Sequence, residues 1–195
     1  MADTAARKMT ADEFLQWCLA PERDEERWEF VDGMPVRMMA GATSRHDQIV
    51  VNLISELRSR LRGGPCMPST ADQAVKTNAG RRVRRPDVSV DCGPRNPQGL
   101  YLRAPTVVFE VLSPSTENVT FSSKLAEYKS LAGMRHVVLL DQDKLFLVHH
   151  RRAANDAWTV EELSEPAAVL KLDAINAELT LAEIYADVVF EPNEA

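Results

Sequence analysis

Hydrophobic residues recur along the chain at two spacings, and each spacing predicts a different kind of element. Within residues 44–62 and again within 120–132 they return every three or four positions, which is the repeat of an amphipathic helix. A glycine follows each of these segments, as is common after the last turn of a helix. Capping-box patterns at residues 10–13 and 180–183 predict two shorter helices.

Runs rich in β-branched and aromatic residues, closed by turn formers, predict the strands. The clearest runs lie at residues 85–90, 106–112, 136–141, 144–149 and 158–163, with a weaker one at 72–76. Residues 28–38 predict a hairpin around the Asp32-Gly33 turn, and Pro35 marks it as an edge pair. Glu29 alternates with the aromatic residues beside it, so the pleat predicts a side chain that points away from the core, into solvent.

The order of these elements predicts an α/β fold with a mixed sheet and helices packed against it. Its core is a helix, three strands, a helix and a strand. A chain of 195 residues is expected to form one domain, residues 1–195. Within it we expect an N-terminal helix and hairpin (10–40), the core (44–150) and C-terminal strands with a helix (151–190).

Composition places the chain among ordinary globular proteins, with 45% hydrophobic and 27% charged residues. No apolar run reaches the length of a membrane span, and no signal-peptide core follows the N-terminus, so we expect a cytoplasmic protein without a membrane partner. Cys18, Cys66 and Cys92 are odd in number and widely spaced, which predicts reduced thiols and argues against a disulfide framework or a zinc site.

The formal charge of −6 argues against a protein that coats nucleic acid without specificity, although it does not exclude a local basic groove. The candidates for such a groove directly precede Asp87. They are Arg81, Arg82, Arg84 and Arg85. An arginine cluster of this kind is more often a solvated face than a phosphate track.

Asp87 and Glu110 each interrupt an apolar strand run, and a buried carboxylate is costly unless it is paired or bound to a cation. Two acids on adjacent strands could share a divalent metal. Alternatively, Asp87 caps the chain or pairs with Arg84 or Arg85, and Glu110 lies at an exposed strand end. The residues themselves favour neither interpretation.

Lys124 lies near the start of the helix that follows Glu110, on the same stripe as Tyr128 and Leu131. A lysine on the buried side of a helix is unusual unless a carboxylate or a substrate oxyanion meets it. We therefore expect its ammonium to point at the Glu110 carboxylate. His46 shares the apolar stripe of its own helix, where a histidine is more often a packed or capping group than a catalyst.

The chain resembles the Uma-two family of endonucleases in the PD-(D/E)XK nuclease superfamily. The resemblance is carried by Arg85-Pro86-Asp87, by Phe109-Glu110-Val111-Leu112-Ser113-Pro114-Ser115-Thr116, and by Lys124 and Tyr128. It extends over most of the chain, and the segment that begins at Glu110 is its most specific part. It implies a restriction-endonuclease-like fold, metal-dependent hydrolysis of DNA phosphodiester bonds, and Mg²⁺ or Mn²⁺ as the cofactor.

By this resemblance Asp87 and Glu110 match the metal-binding acids, and the carbonyl of Val111 adds a ligand. Lys124 matches a catalytic lysine that the family has moved from the strand to the helix, since Leu112 occupies the strand position. The accessory positions are His46, Glu29 and Tyr128. The four arginines before Asp87 would hold flanking phosphates.

Members usually carry an acid and then a basic residue where this chain has Thr120 and Phe121. This departure either lowers activity or concerns only the entry to the helix. Two alternatives to a metal-dependent DNA endonuclease therefore stay open. The first is a catalytically silent nuclease fold that binds nucleic acid or a protein partner, and the second is a structural oligomer that associates through the hairpin edge. We expect a homo-oligomer, a dimer.

Overall fold

The computed structural model describes residues 9–23, 26–38, 43–112 and 120–190, with the side chains of Thr120 and Phe121 left out. The predicted turn at residues 113–116 lies outside the described residues. The helices of the described part are α1 (Ala11–Trp17), α2 (Ser44–Arg60), α3 (Thr120–Ser130) and α4 (Leu181–Ile184). None of these helices in the described ranges is long and apolar enough to cross a bilayer.

The strands of the described ranges form three sheets. In chain order they are β1 (Trp28–Val31), β2 (Met34–Arg37), β3 (Met67–Thr70), β4 (Val75–Thr77), β5 (Arg82–Arg84), β6 (Val88–Asp91), β7 (Pro105–Leu112), β8 (His136–Asp141), β9 (Leu147–Arg152), β10 (Trp158–Leu163), β11 (Val169–Leu172) and β12 (Ala177–Thr180). This order confirms the predicted mixed α/β class.

The central sheet has six strands in the order β10-β9-β8-β7-β6-β3. Only β7 and β8 run parallel, and α3 makes the crossover between them, because parallel neighbours cannot be joined by a tight turn. Both strands are nearly continuous apolar runs, as expected of strands covered on two faces. On one face α2 buries Ile49, Leu53 and Leu57. On the other face α3 buries Tyr128.

A second sheet of four strands, in the order β2-β1-β5-β4, carries the predicted hairpin at one edge. Asp32 and Gly33 both have positive φ, which matches the two-residue turn that hairpins favour and confirms this prediction. The capping box on Thr10 starts α1, and Phe14 stacks on Phe30 with ring centroids 5.0 Å apart. The N-terminal helix thereby covers one face of β1.

The third sheet pairs β11 with β12 and leads into α4, which packs against α2. Asn52 donates hydrogen bonds to the carbonyls of Ile184 and Ala186 at 3.0 and 2.8 Å, and Arg60 pairs with Glu183 at 2.6 Å. The C-terminal elements therefore complete the core beneath α2.

Several strands differ from the sequence prediction. β3, β11 and β12 were not predicted. The predicted strand 85–90 starts only at Val88, and residues 82–84 pair in the other sheet. The sequence Met67-Pro68-Ser69-Thr70 carries little strand propensity, and its pairing with β6 makes it a strand. Asp87 consequently lies just ahead of β6 and not within it.

The prediction of reduced cysteines is wrong for two of the three. Cys66 and Cys92 form a disulfide, while Cys18 is free. In the β3–β6 ladder Met67 faces Asp91, so the residues one step beyond them also meet, with Cα atoms 4.0 Å apart. The strand register decides this pairing, and a spacing of 26 residues does not reveal it.

Candidate active site

Asp87 and Glu110 meet where β6 begins and β7 approaches its end. Val88 pairs with Phe109, and continuing this antiparallel ladder by one step places Asp87 opposite Glu110. The backbone N–H of Val111 donates a hydrogen bond of 2.8 Å to Oδ2 of Asp87. The structure thus brings these two predicted site acids together.

Glu110 is buried, and the hydroxyl of Tyr128 donates a hydrogen bond of 2.7 Å to its Oε1. Burial raises the pKa of Glu110 to about 7; the nearby charge of Lys124 lowers it, and the charge of Asp87 raises it. Burial and the charge of Glu110 also hold the pKa of the Tyr128 hydroxyl well above its usual range, so Tyr128 remains a donor. Glu110 therefore ionises with difficulty unless further positive charge arrives.

His46 approaches Asp87 from the other side. Its Nε2 lies 3.4 Å from Oδ1 of Asp87, and this hydrogen bond raises the pKa of His46 against the opposing effect of burial. The ring is in the first turn of α2, where the hydroxyl of Thr43 accepts a hydrogen bond from the His46 backbone N–H. The helix start thus fixes the histidine beside the carboxylate.

Lys124 is paired with Glu29, which corrects two predictions. Its Nζ lies 2.8 Å from Oε1 of Glu29, while Glu110 acts on it through its charge and is not the direct ion-pair partner. Burial lowers the pKa of Lys124, but Glu110 and Glu29 together raise it above its usual value, so the ammonium stays charged. Glu29 is buried and does not face solvent, because α3 and β5 bring cations to that side of β1.

All four arginines predicted to contact DNA have protein partners, and three of them are tied into ion pairs or into several backbone carbonyls. Arg84 is buried between Glu29 and Glu127, and Arg82 pairs with Asp32 and Glu127. The guanidinium of Arg85 donates to the backbone carbonyls of Trp28, Ala71 and Asp72. A phosphate contact by Arg84 would break buried ion pairs, so this residue does not serve as a phosphate contact in this fold. Arg81 is exposed, and its guanidinium contacts the side-chain oxygen of Asn78 at 3.3 Å.

Glu127 is the site residue that the sequence reasoning missed. Burial raises its pKa, but hydrogen bonds from Arg84, Arg82 and Thr77 outweigh burial and leave the pKa lowered. A signal was available, because Glu127 follows Lys124 by three positions and therefore lies on the same side of α3. Its buried partners come from β4 and β5, more than 40 residues earlier in the chain.

The donor set suits one hard divalent cation with open coordination positions. Among the described residues no three side chains of His, Cys, Asp or Glu form a ready-made metal cage. Mg²⁺ does not need one, since it is commonly held by one or two carboxylates and keeps several waters. In a strand the N–H and C=O of one residue face the same side, so the Val111 carbonyl faces the Asp87 side as its N–H does.

Comparison with known proteins gives a family match and relatives of similar length. The model of the Uma2 (Uma-two) family, described as "Putative restriction endonuclease", matches residues 11–183. The chain is 27% identical to "Uncharacterized protein slr1290" of Synechocystis, over 94% of each chain. It is 25% identical to "Uncharacterized protein sll1609" of the same organism, over 84% of this chain and 92% of that protein.

The fold is shared with solved structures. One of them is the crystal structure of "a putative nuclease belonging to DUF820" from Anabaena variabilis, with a TM-score of 0.70 and 21% identity. The similarity covers 93% of this chain and 99% of that one. The predicted nuclease-like fold is thereby confirmed.

Proposed function

The chain belongs to the Uma2 family, and on that premise we propose that it hydrolyses DNA phosphodiester bonds with Mg²⁺ or Mn²⁺. One observation carries the proposal. Asp87, bonded to the Val111 N–H, stands opposite the buried Glu110, whose pKa of about 7 reports a carboxyl that lacks sufficient positive charge. Strongly perturbed acids of this kind concentrate at functional sites.

Asp87, Glu110 and the carbonyl of Val111 would hold the cation. A bound Mg²⁺ or Mn²⁺ would neutralise charge on the scissile phosphate and make a water molecule more acidic. Tyr128 orients the Glu110 carboxylate through its 2.7 Å hydrogen bond, and His46 orients Asp87 from the helix start. Each acid is therefore held by a contact within the protein before any ligand binds.

Lys124 supplies the second positive charge of the proposed site. Its side chain is 12% exposed, and its ammonium lies 2.8 Å from Glu29 and near the charge of Glu110. A fixed cation there stabilises the negative charge that develops on the phosphate oxygens. Glu29 holds Lys124 in this position. Of the four arginines, Arg81 remains the candidate for a flanking phosphate, because its guanidinium is exposed.

Two expectations about context stay predictions. The first is the cytoplasmic location, which stays a prediction from the sequence. For the homodimer, β2 is an edge strand with Met34 and Val36 exposed, and a second chain could associate along such an edge.

Nicking of supercoiled plasmid in Mg²⁺, Mn²⁺, Ca²⁺ and EDTA tests the proposal. We expect cleavage by the parent in Mg²⁺ and Mn²⁺, and no cleavage by Asp87→Asn. Glu178→Gln is the matched control, since Glu178 is an exposed acid on β12 away from the site, and it should cut like the parent. A parent protein that binds DNA equally with and without metal and cuts none would instead support the silent nuclease-fold alternative.

A further inference from the structure

We propose that Arg84 and Glu127 are positioning residues that hold Lys124 in place through Glu29. This inference rests on the proposed function, in which Lys124 is the charge stabiliser. Neither residue contacts the acid pair directly. Their action runs through Glu29 to Lys124, whose charge acts on Glu110.

The contacts form a closed circuit. Lys124 pairs with Oε1 of Glu29 at 2.8 Å, and Nη1 of Arg84 donates to the other oxygen, Oε2, at 2.8 Å. Nε and Nη2 of Arg84 then bind both oxygens of Glu127 at 2.8 and 2.7 Å. Glu127 lies one helical turn after Lys124, so α3 itself closes the circuit. Glu29, Arg84 and Glu127 are thus each held at two or more atoms, and Lys124 is held by Glu29.

The circuit joins three elements that are distant in sequence. Glu29 comes from β1, Arg84 from β5, and Lys124 and Glu127 from α3. Thr77 and Arg82 add further hydrogen bonds to Glu127 from the same small sheet. The position of α3 relative to that sheet is therefore set by hydrogen bonds with fixed directions, and α3 also carries Tyr128.

Arg84 is suited to this task because its planar fork presents donors in fixed directions. All three of its nitrogens are engaged, and its side chain is 3% exposed. Burial lowers the pKa of Arg84, but the hydrogen bond to Glu127 and the charges of both glutamates outweigh burial and raise it. A lysine would keep the charge and lose the fork.

Buried ion pairs are weak evidence for stability, since well-packed apolar residues often serve the fold as well. The circuit includes Lys124, so we explain it by the need to fix one ammonium near Glu110 and not by a gain in stability. Without Arg84, one oxygen of Glu29 loses its cation, and Glu29 can then turn and take Lys124 with it.

The test compares Arg84→Lys with Arg60→Lys. Arg60 also pairs with two glutamates, Glu56 and Glu183, but lies on α2 away from the acid pair. In single-turnover cleavage with Mn²⁺ we expect Arg84→Lys to be about tenfold slower, within the range for coupled contacting residues. Its affinities for Mn²⁺ and DNA should stay at the parent values, and Arg60→Lys should match the parent throughout.

A double-substitution cycle identifies the route. If Arg84 acts through Glu29, Arg84→Lys should slow cleavage no further in a Glu29→Gln background. Fully additive losses would overturn the proposal, because they would show that Arg84 affects cleavage independently of Glu29. If the melting transition shows that Arg84→Lys does not fold, Glu127→Gln replaces it in the same cycle. This substitution removes the carboxylate charge that binds Nε and Nη2 of Arg84.

Lysine reactivity tests the same inference without cleavage. Trace labelling with acetic anhydride, read by peptide mass spectrometry, should show Lys124 becoming about tenfold more reactive in folded Arg84→Lys. The exposed Lys171 is the internal reference. Unchanged Lys124 reactivity would overturn the positioning role. Increased reactivity in a protein whose parent cuts no DNA would support the positioning role and reject only the proposed function.

Discussion

The acid pair and a histidine cluster lie on opposite faces of the central sheet and differ in how they accommodate burial. On β8 and β9, His136 and His149 stack with ring centroids 5.2 Å apart and share a hydrogen bond of 2.9 Å between Nδ1 and Nε2. Burial lowers the pKa of each histidine to about 4, so both are neutral near pH 7. The acid pair is surrounded by charges, and Glu110 carries a pKa raised to about 7.

The difference separates a structural cluster from a reactive one. The two neutral histidines share one hydrogen bond, and Nε2 of His136 also lies 3.2 Å from Oδ1 of Asp173, so these buried polar groups are paired without a buried charge. Around Glu110, by contrast, Lys124 and Arg84 stay charged, and both pair with the buried Glu29. Charges kept at this cost indicate chemistry, and the following predictions test that distinction.

The largest contrast is expected in cleavage. Glu110→Gln keeps the shape of the side chain but removes a metal-binding charge, so single-turnover cleavage in Mn²⁺ should fall by roughly 10³-fold. His149→Gln, in the other cluster, should cut within about twofold of the parent, since it contacts no part of the site. Equal rates for Glu110→Gln and the parent would place the chemistry elsewhere.

Removing the ammonium of Lys124 should have the next largest effect on the cleavage rate. Lys124→Met keeps most of the stem, and we expect roughly 10²-fold slower cleavage with unchanged Mn²⁺ and DNA binding. Lys144→Met is the control, because Lys144 is 67% exposed and lies outside the proposed site. If Lys124→Met also cuts as the parent does, His46 becomes the next candidate for the charged group.

Stability without metal should fall as pH rises, because of Glu110. Its pKa is raised in the folded protein from 4.5 to about 7. Its contribution to the free energy of unfolding is therefore complete below about pH 4.5 and is lost as pH rises through 7. Urea unfolding in EDTA should show a loss of up to roughly 3 kcal/mol between pH 5 and pH 8, absent in Glu110→Gln. Mn²⁺ should restore the loss in the parent alone.

The histidine cluster should show the opposite sign, and replacing one of its two rings should remove part of the effect. The pKa values of His136 and His149 are depressed from 6.5 to about 4, so their contribution is present above pH 6.5 and is lost as pH falls toward 4. His149→Gln should reduce this acid-side loss by about 2 kcal/mol in urea unfolding. If His149→Gln lost as much stability as the parent between pH 6.5 and pH 4, these rings would not be the groups that titrate.

Local pattern determined much of this fold. The repeat of α2, the apolar runs of β7 and β8, and the Asp32-Gly33 turn each reside within a few consecutive residues, and each was predicted from them. The resemblance around Glu110 likewise identified the family, because a short motif can be recognised without knowing what it touches.

Tertiary structure alone decided the partners. Glu29 was predicted to face solvent and is buried, and Arg84 was predicted to contact DNA and holds Glu29 and Glu127. The Cys66–Cys92 disulfide depends on the register of two strands in the same way. Burial and ion pairing arise when elements tens of residues apart come into contact. The spacing of residues within one element therefore does not predict which distant side chains become their partners.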